Sequence, residues 1–174
     1  MAIVDFFLGN ALNAVDAKGR VSLPSSYRST IEKRQQRERP AGSDMPVEKV
    51  VTFLVHPDRP CLLGFDNSVA SLIIEGLEKR RAAAAAAESD DIFGMHEADL
   101  GAFSATWTVT YDPDGRMVLP GFLRDKAGIT DLAFFLPAGR TFEVWAPALF
   151  AMQQDPRLAA AQEQLAYLIG ERRK

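Results

Sequence analysis

The chain has 174 residues, 47% apolar and 25% charged, and it is long enough for one domain or two small ones around a real core. That composition excludes a wholly disordered or collagen-like protein, and no run of 18 apolar residues is present to form a membrane-spanning helix. Net charge is −3, from 20 basic and 23 acidic side chains, which argues mildly against a nucleic-acid partner. The sum hides an uneven distribution. From Asp16 to Arg39 there are seven basic residues (Lys18, Arg20, Arg28, Lys33, Arg34, Arg37, Arg39) and three acidic ones (Asp16, Glu32, Glu38), or +4, enough for one positive face. The opening Met1 to Asp5 has no basic region and no long apolar run, so it does not read as a secretory signal. One cysteine, Cys61, excludes an internal disulfide framework and a cysteine-based zinc site, and a cytoplasmic protein is expected.

The first predicted element is an extended stretch, Leu12 to Val15. Asp16-Ala-Lys-Gly-Arg20 follows as a turn, in which Asp bonds backbone N–H groups and Gly supplies positive φ. Val21-Ser-Leu23 is a short apolar stretch ended by Pro24, which cannot donate to a sheet ladder but suits the start of a helix, here from Ser25 to about Arg34. Gln36 to Met45, with charge, Pro and Gly, reads as a loop. A hairpin is predicted from Val50 to Val55 and Cys61 to Phe65 around His-Pro-Asp-Arg-Pro. Ser68 reads as an N-cap, with a helix carrying Leu72, Ile73 and Leu77 to Arg81, then the strongly helical Ala82–Ala87 run and a loop at Ser89 to Asp91. Trp107-Thr-Val-Thr-Tyr111 is rich in strand formers. Asp112-Pro-Asp-Gly-Arg116, Met117-Val-Leu119 and Pro120 then repeat the earlier order, followed by a helix from Gly121 to Ala127 stopped by Gly128. A second hairpin spans Leu132 to Leu136 and Thr141 to Trp145. Pro147 opens a helix, and Arg157 to about Arg172 forms another, with Leu158, Leu165 and Leu168 on one side.

The repetition is quantitative. Residues 16–28 align with 112–124 at a constant offset of 96 without a gap, and six of the thirteen positions are identical. Chance at ordinary residue frequencies gives about one. Phe7 faces Phe103 and Val15 faces Tyr111 at the same offset. Two copies are too few for a solenoid, and each hairpin is marginal alone. Two interleaved copies related by a pseudo-two-fold axis and sharing one small barrel are therefore expected.

The paired motifs Asp-x-Lys-Gly-Arg-x-x-Leu-Pro-x-x-x-Arg (16–28) and Asp-x-x-Gly-Arg-x-x-Leu-Pro-x-x-x-Arg (112–124), with Gly-Arg-Thr-Phe-Glu-Val-Trp at 139–145, resemble those of the MraZ family, over Phe7 to about Phe150. The resemblance implies an α+β fold: a pseudo-two-fold double-psi or swapped-hairpin AbrB-type β-barrel with flanking helices. The whole chain, 1–174, would be one intertwined domain. Within it, 5–65 is the first AbrB-like copy, 66–100 a connecting helical segment, 101–147 the second copy and 148–174 the C-terminal helices. It implies a nucleoid-associated transcriptional repressor of the division and cell-wall gene cluster. Such a protein binds short direct repeats of double-stranded DNA upstream of its own operon, as a ring-shaped homo-oligomer. It has no enzymatic activity, no cofactor and no small-molecule substrate. The motif residues that bind DNA in the family fall on Asp16/Arg20 and Asp112/Arg116. The runner-up is an oligomeric protein-interaction module of antitoxin type.

Two roles stand for most of these residues. Arg20 and Arg116 suit guanine or phosphate contact, and they equally suit an ion pair to Asp16 or Asp112 that holds the turn; one Asp can orient an Arg that also meets a phosphate. Lys18, at the turn tip, is a phosphate contact or a solvated lysine. Asp114 replaces Lys18 in the second copy and would repel phosphate, which favours the first copy's face. Arg28 and Arg124 complete the DNA-binding set as a second row of phosphate contacts, or else form salt bridges to the neighbouring copy. Gly19, Gly115, Pro24 and Pro120 shape the backbone. Phe142, Trp145 and Trp107 are expected in the core, and Cys61 as a buried structural thiol. His56 and His96 have no partner motif for a metal or catalysis. The alanine run and the basic stretch at Arg34 to Pro40 carry no function over from the resemblance.

Overall fold

A computed structural model of the chain describes residues 5–72, 75, 76, 79, 100 and 103–174. The Ala82–Ala87 run, the Ser89 to Asp91 loop, His96, Ile73, Leu77 and Arg81 lie outside them.

Eight strands are described: β1 (Ala11–Ala14), β2 (Arg20–Ser22), β3 (Val50–Val55), β4 (Cys61–Phe65), β5 (Trp107–Thr110), β6 (Arg116–Val118), β7 (Leu132–Ala138) and β8 (Thr141–Trp145). The labelled helices are α1 (Ser25–Glu38), α2 (Gly121–Ala127), α3 (Pro147–Ala151) and α4 (Ala159–Arg172), with a further helical stretch beginning at 67. The fold is mixed α+β. Six strands form an antiparallel sheet in the order β1-β7-β8-β4-β3-β5, curled into a half-barrel, and β2 pairs with β6 in a separate ribbon.

That strand order is a palindrome of the repeat. The edge strands β1 and β5 are equivalent at the offset of 96, and the two hairpins meet at the centre through β4 and β8. The pairings cross between copies. β1 of the first copy pairs with β7 of the second, Leu12 opposite Phe134, and β5 of the second pairs with β3 of the first, Val51 opposite Val109. Neither hairpin is left with a bare flank, which answers the marginal stability of an isolated hairpin. Among the described residues the large sheet keeps two edges, so the barrel expected from the sequence is a half-barrel plus a ribbon.

The core explains the offset. Val15 and Tyr111, Val21 and Met117, Leu23 and Leu119, Tyr27 and Leu123, and Ile31 and Ala127 are each 96 apart, and all ten are buried in one cluster. Phe7, Tyr27, Phe53, Phe135 and Phe142 fill its centre with ring centroids 5.0–6.2 Å apart, mostly edge to face. A second cluster, with Phe134, Trp145, Phe150 and Leu165, lies under the C-terminal helices, and Leu158 and Leu168 pack against it.

Four expectations change. α1 runs to Glu38, so Gln36 to Glu38 are helical, and it stops before Pro40, whose ring disfavours helix at Arg39. The helix after β4 begins at 67, so Asp66 takes the cap position expected of Ser68, and its backbone carbonyl accepts the Val69 N–H at 3.1 Å. The last helix opens with a 3-10 turn at Pro156–Leu158, capped by the Asp155 side chain. Trp107 is not core: it starts edge strand β5, is 45% exposed and stacks on Phe122 at 6.2 Å, whereas Phe142 and Trp145 are fully buried.

Candidate nucleic-acid interface

Each motif folds into the same braced turn. Asp16 accepts the backbone N–H groups of Lys18 and Arg20 on Oδ1, both at 2.9 Å, and its carbonyl accepts from Gly19 at 2.9 Å. Asp112 does the same for Asp114 (2.9 Å), Arg116 (2.8 Å) and Gly115 (2.8 Å). Gly19 and Gly115 take φ of +79° and +84°, which L side chains rarely adopt. Position also demands glycine. A Cβ on Gly19 would lie 2.7 Å from the Leu119 carbonyl oxygen, and one on Gly115 would lie 2.9 Å from that of Leu23. These close approaches are cross-copy: Leu23 N–H donates to the Gly115 carbonyl at 2.8 Å, and Leu119 N–H to that of Gly19 at 2.9 Å.

The ribbon between the turns sets the arginines. Arg20 pairs with Val118, Val21 with Met117 and Ser22 with Arg116. Val21 and Met117 point into the core, so the alternation turns Arg20, Ser22, Arg116 and Val118 outward together. Arg20 and Arg116 are thus diagonal neighbours, about 7–8 Å apart along such a ribbon. Their side chains are 60% and 69% exposed. Both line two shallow depressions of about 340 and 370 Å³ beside the ribbon.

The arginines are held differently. Arg20 Nε meets Asp16 Oδ2 at 2.5 Å. The Arg20 backbone N–H, and then its guanidinium, hold the Asp16 carboxyl below its ordinary range. Arg116 lies 4.0 Å from Asp112 and 3.6 Å from Asp114. Exposed ion pairs of this kind contribute little stability and yield readily to another anion. The Lys18 side chain is exposed at the tip of the first turn.

Arg28 and Arg124 reach over the turns instead of standing in a free row. Arg28 lies against Gly115 of the other copy and donates Nη1 to the Pro113 carbonyl at 2.8 Å. Arg124 lies against Gly19 and donates Nε to the Leu119 carbonyl at 3.2 Å. Arg28 therefore reaches the neighbouring copy through a carbonyl and not through the expected salt bridge, and among the described residues neither arginine is in an ion pair.

The +4 count of residues 16–39 overstates this face. Arg34 is buried and pairs with Asp66 at 3.1 Å, and it donates to the carbonyls of Asp5 and Arg140. Arg37 pairs with Asp5 at 3.2 Å. Sequence reasoning missed these roles because Asp66 lies 32 residues from Arg34. It also missed Glu143, buried in β8, which accepts from Trp145 Nε1 at 2.8 Å and pairs with Arg59 at 2.6 Å. His56 accepts the Asp58 N–H on Nδ1 at 3.1 Å, and its Nε2 lies 3.2 Å from Arg59. Cys61 is buried, and burial, with Glu143 adding, pushes its thiol up to about 12. Among the described residues no cluster of three or more His, Cys, Asp or Glu is placed to hold a metal. No helix among them is long and apolar enough to cross a membrane.

A repeated strand-turn-strand module that exchanges strands with its copy and presents an Asp-braced arginine from each copy on one ribbon face defines the class of this protein. Comparison with known proteins gives the family. Residues 102–166 match the family model described as "MraZ protein, putative antitoxin-like". A relative from Gluconobacter oxydans, named transcriptional regulator MraZ, is 31% identical over 161 residues, covering 91% of this chain and 87% of its own. Proteins of the same name from Ruegeria pomeroyi (30% identical, 91% and 86% covered) and Gluconacetobacter diazotrophicus (29%, 82% and 79%) are similarly related. The chain belongs to the MraZ family.

Proposed function

We propose that this protein is a sequence-specific DNA-binding transcriptional regulator whose reading surface is the β2–β6 ribbon with its two turns. The observation that carries this is the register that sets Arg20 and Arg116 outward, side by side, on a braced and exposed face. Arginine is the commonest specific reader of guanine and also binds phosphate, and a two-stranded ribbon fits the major groove. Lys18 contacts phosphate, which fixes position and adds salt-dependent affinity. Arg116 shares the face between Asp112 and Asp114.

The remaining detail rests on family membership. The protein acts as a repressor at short direct repeats upstream of its own operon, in the division and cell-wall gene cluster. It does so in the cytoplasm, at the nucleoid, as a ring of AbrB-type modules. A ring offers many copies of a small face to repeated sites, and such linkage multiplies weak affinities by about 10²–10⁴. That reconciles DNA binding with a net charge of −3.

Fluorescence anisotropy tests the reading. Labelled DNA from upstream of the gene is expected to bind, more weakly as salt rises, while a scrambled duplex does not. No preference for the native fragment at two salt concentrations overturns it. The antitoxin-like description of the family model supports a second reading, a grip on a partner protein, and that grip would lack the steep salt dependence.

A further inference from the structure

The two turns are built alike but carry unlike charge. Around Gly19 stand Lys18, Arg20 and the Arg124 guanidinium, whose Nε lies 2.8 Å from the place a Cβ would occupy. Asp16 is the one acid of the turn, so the group sums to +2. Around Gly115 stand Arg116 and Arg28, with Nε 2.6 Å from the equivalent place, together with Asp112 and Asp114, and the sum is zero. The donors also differ. Arg28 directs Nη1 into the second turn at the Pro113 carbonyl, while Arg124 ties only its Nε, to Leu119 in its own copy. Among the described residues the two Nη groups of Arg124 donate to none. Arg20 faces one carboxylate and Arg116 two.

We infer that the phosphate backbone of the duplex is held at the first turn alone, in a composite site made by Lys18 and Arg20 of the first copy and Arg124 of the second. This rests on the DNA-binding reading and adds which half of the pseudo-symmetric face does the electrostatic work. Lys18 and Arg20 flank in sequence the Gly19 backbone against which the Arg124 guanidinium packs, and Arg124 arrives there only because the copies are interleaved. The second turn, its charge already matched, is a buttress that Arg28 fixes through the Pro113 carbonyl. The fold is two-fold in shape and one-sided in charge.

The test is the salt dependence of anisotropy for the full chain on labelled duplex from upstream of its gene, across 50–200 mM KCl. Removing one cation from a phosphate flattens the slope of log K against log salt by about 0.9. Arg124→Gln and Lys18→Gln are each expected to flatten the slope by about that much, and Arg124→Lys to keep it. Arg28→Gln and Asp114→Gln keep the wild-type slope. Equal flattening by Arg28→Gln and Arg124→Gln, or tighter and steeper binding by Asp114→Gln, means a symmetric site and overturns the inference. Lys18 and Asp114 are exposed, so that pair decides the matter if an arginine variant unfolds in a parallel melting curve. A wild-type chain with no salt-dependent binding overturns the DNA reading as well, and it is told apart because no variant then has a slope to lose.

Discussion

Arg34 and Asp66 meet at 3.1 Å with side chains only 3% and 2% exposed. The pair joins α1 to the end of β4, and the Arg34 guanidinium also lies 4.6 Å from the centre of the Phe7 ring. Burial pushes the Asp66 carboxyl up, with the Arg34 charge opposing. Two charges out of water are tolerated only because each compensates the other, so removing one leaves the other stranded. Asp66→Ala is expected to destabilise the protein by about 3–5 kcal/mol. The double replacement Asp66→Leu with Arg34→Met should cost less than Asp66→Ala alone. Urea denaturation of the wild type and both variants checks this, and a double variant worse than the single would deny the coupling.

The turns rest on glycine at φ near +80°. Gly19→Ala forces a Cβ to 2.7 Å from the Leu119 oxygen and toward Arg124, and Gly115→Ala does the same toward Leu23 and Arg28. Each substitution is expected to cost about 1–3 kcal/mol from backbone strain. Because the neighbours are the other copy's carbonyl and arginine, DNA affinity should fall along with the melting temperature. Unchanged melting in both variants would mean that the turns are not built as described.

Those turns were legible because their signals are local: Asp to brace, Gly for positive φ, Pro to end the strand. The helix at Gly121–Ala127 and both hairpins were legible for the same reason. Strand exchange needed one more step, since no local pattern says that Leu12 sits opposite Phe134; only the repeat and the poor stability of lone hairpins pointed there. Burial of charge was illegible. Arg34 reads as a surface cation of a basic helix until Asp66 arrives beside it from β4. Trp107 misled in the opposite sense, because an alternating apolar strand reads as core whether it is central or at an edge. Within the site, the Asp–Arg spacing exposed Arg20 and Arg116, but the reach of Arg28 and Arg124 across the copies depends on a ribbon register that spacing alone does not give.

Arg20 is largely exposed and its guanidinium is tied to the equally local Asp16, so its removal is expected to separate binding from folding. Arg20→Ala should keep the wild-type melting temperature and oligomer size while weakening binding to the upstream fragment and flattening its salt slope by about 0.9, as loss of one phosphate contact does. Anisotropy and size-exclusion chromatography on the same preparation check both halves. Wild-type affinity would remove Arg20 from the interface, and a change in oligomer size would assign it to structure.

The Asp155 carboxylate gives a test on the acid side. The Arg157 side chain, and then its backbone N–H, hold Asp155 down to about 2, well below an ordinary aspartate near 3.9. A group depressed in the folded state adds stability that is present above its unfolded pKa and lost as pH falls through the folded value. The contribution of Asp155 is therefore intact above about pH 4 and disappears toward pH 2. NMR titration of the carboxyl carbon should place Asp155 near 2 in the wild-type chain. In Arg157→Gln it should move up without reaching the ordinary value, because the backbone N–H of residue 157 still donates to Oδ1. A titration unchanged by Arg157→Gln would show that the cap hydrogen bond, and not the guanidinium, sets this pKa.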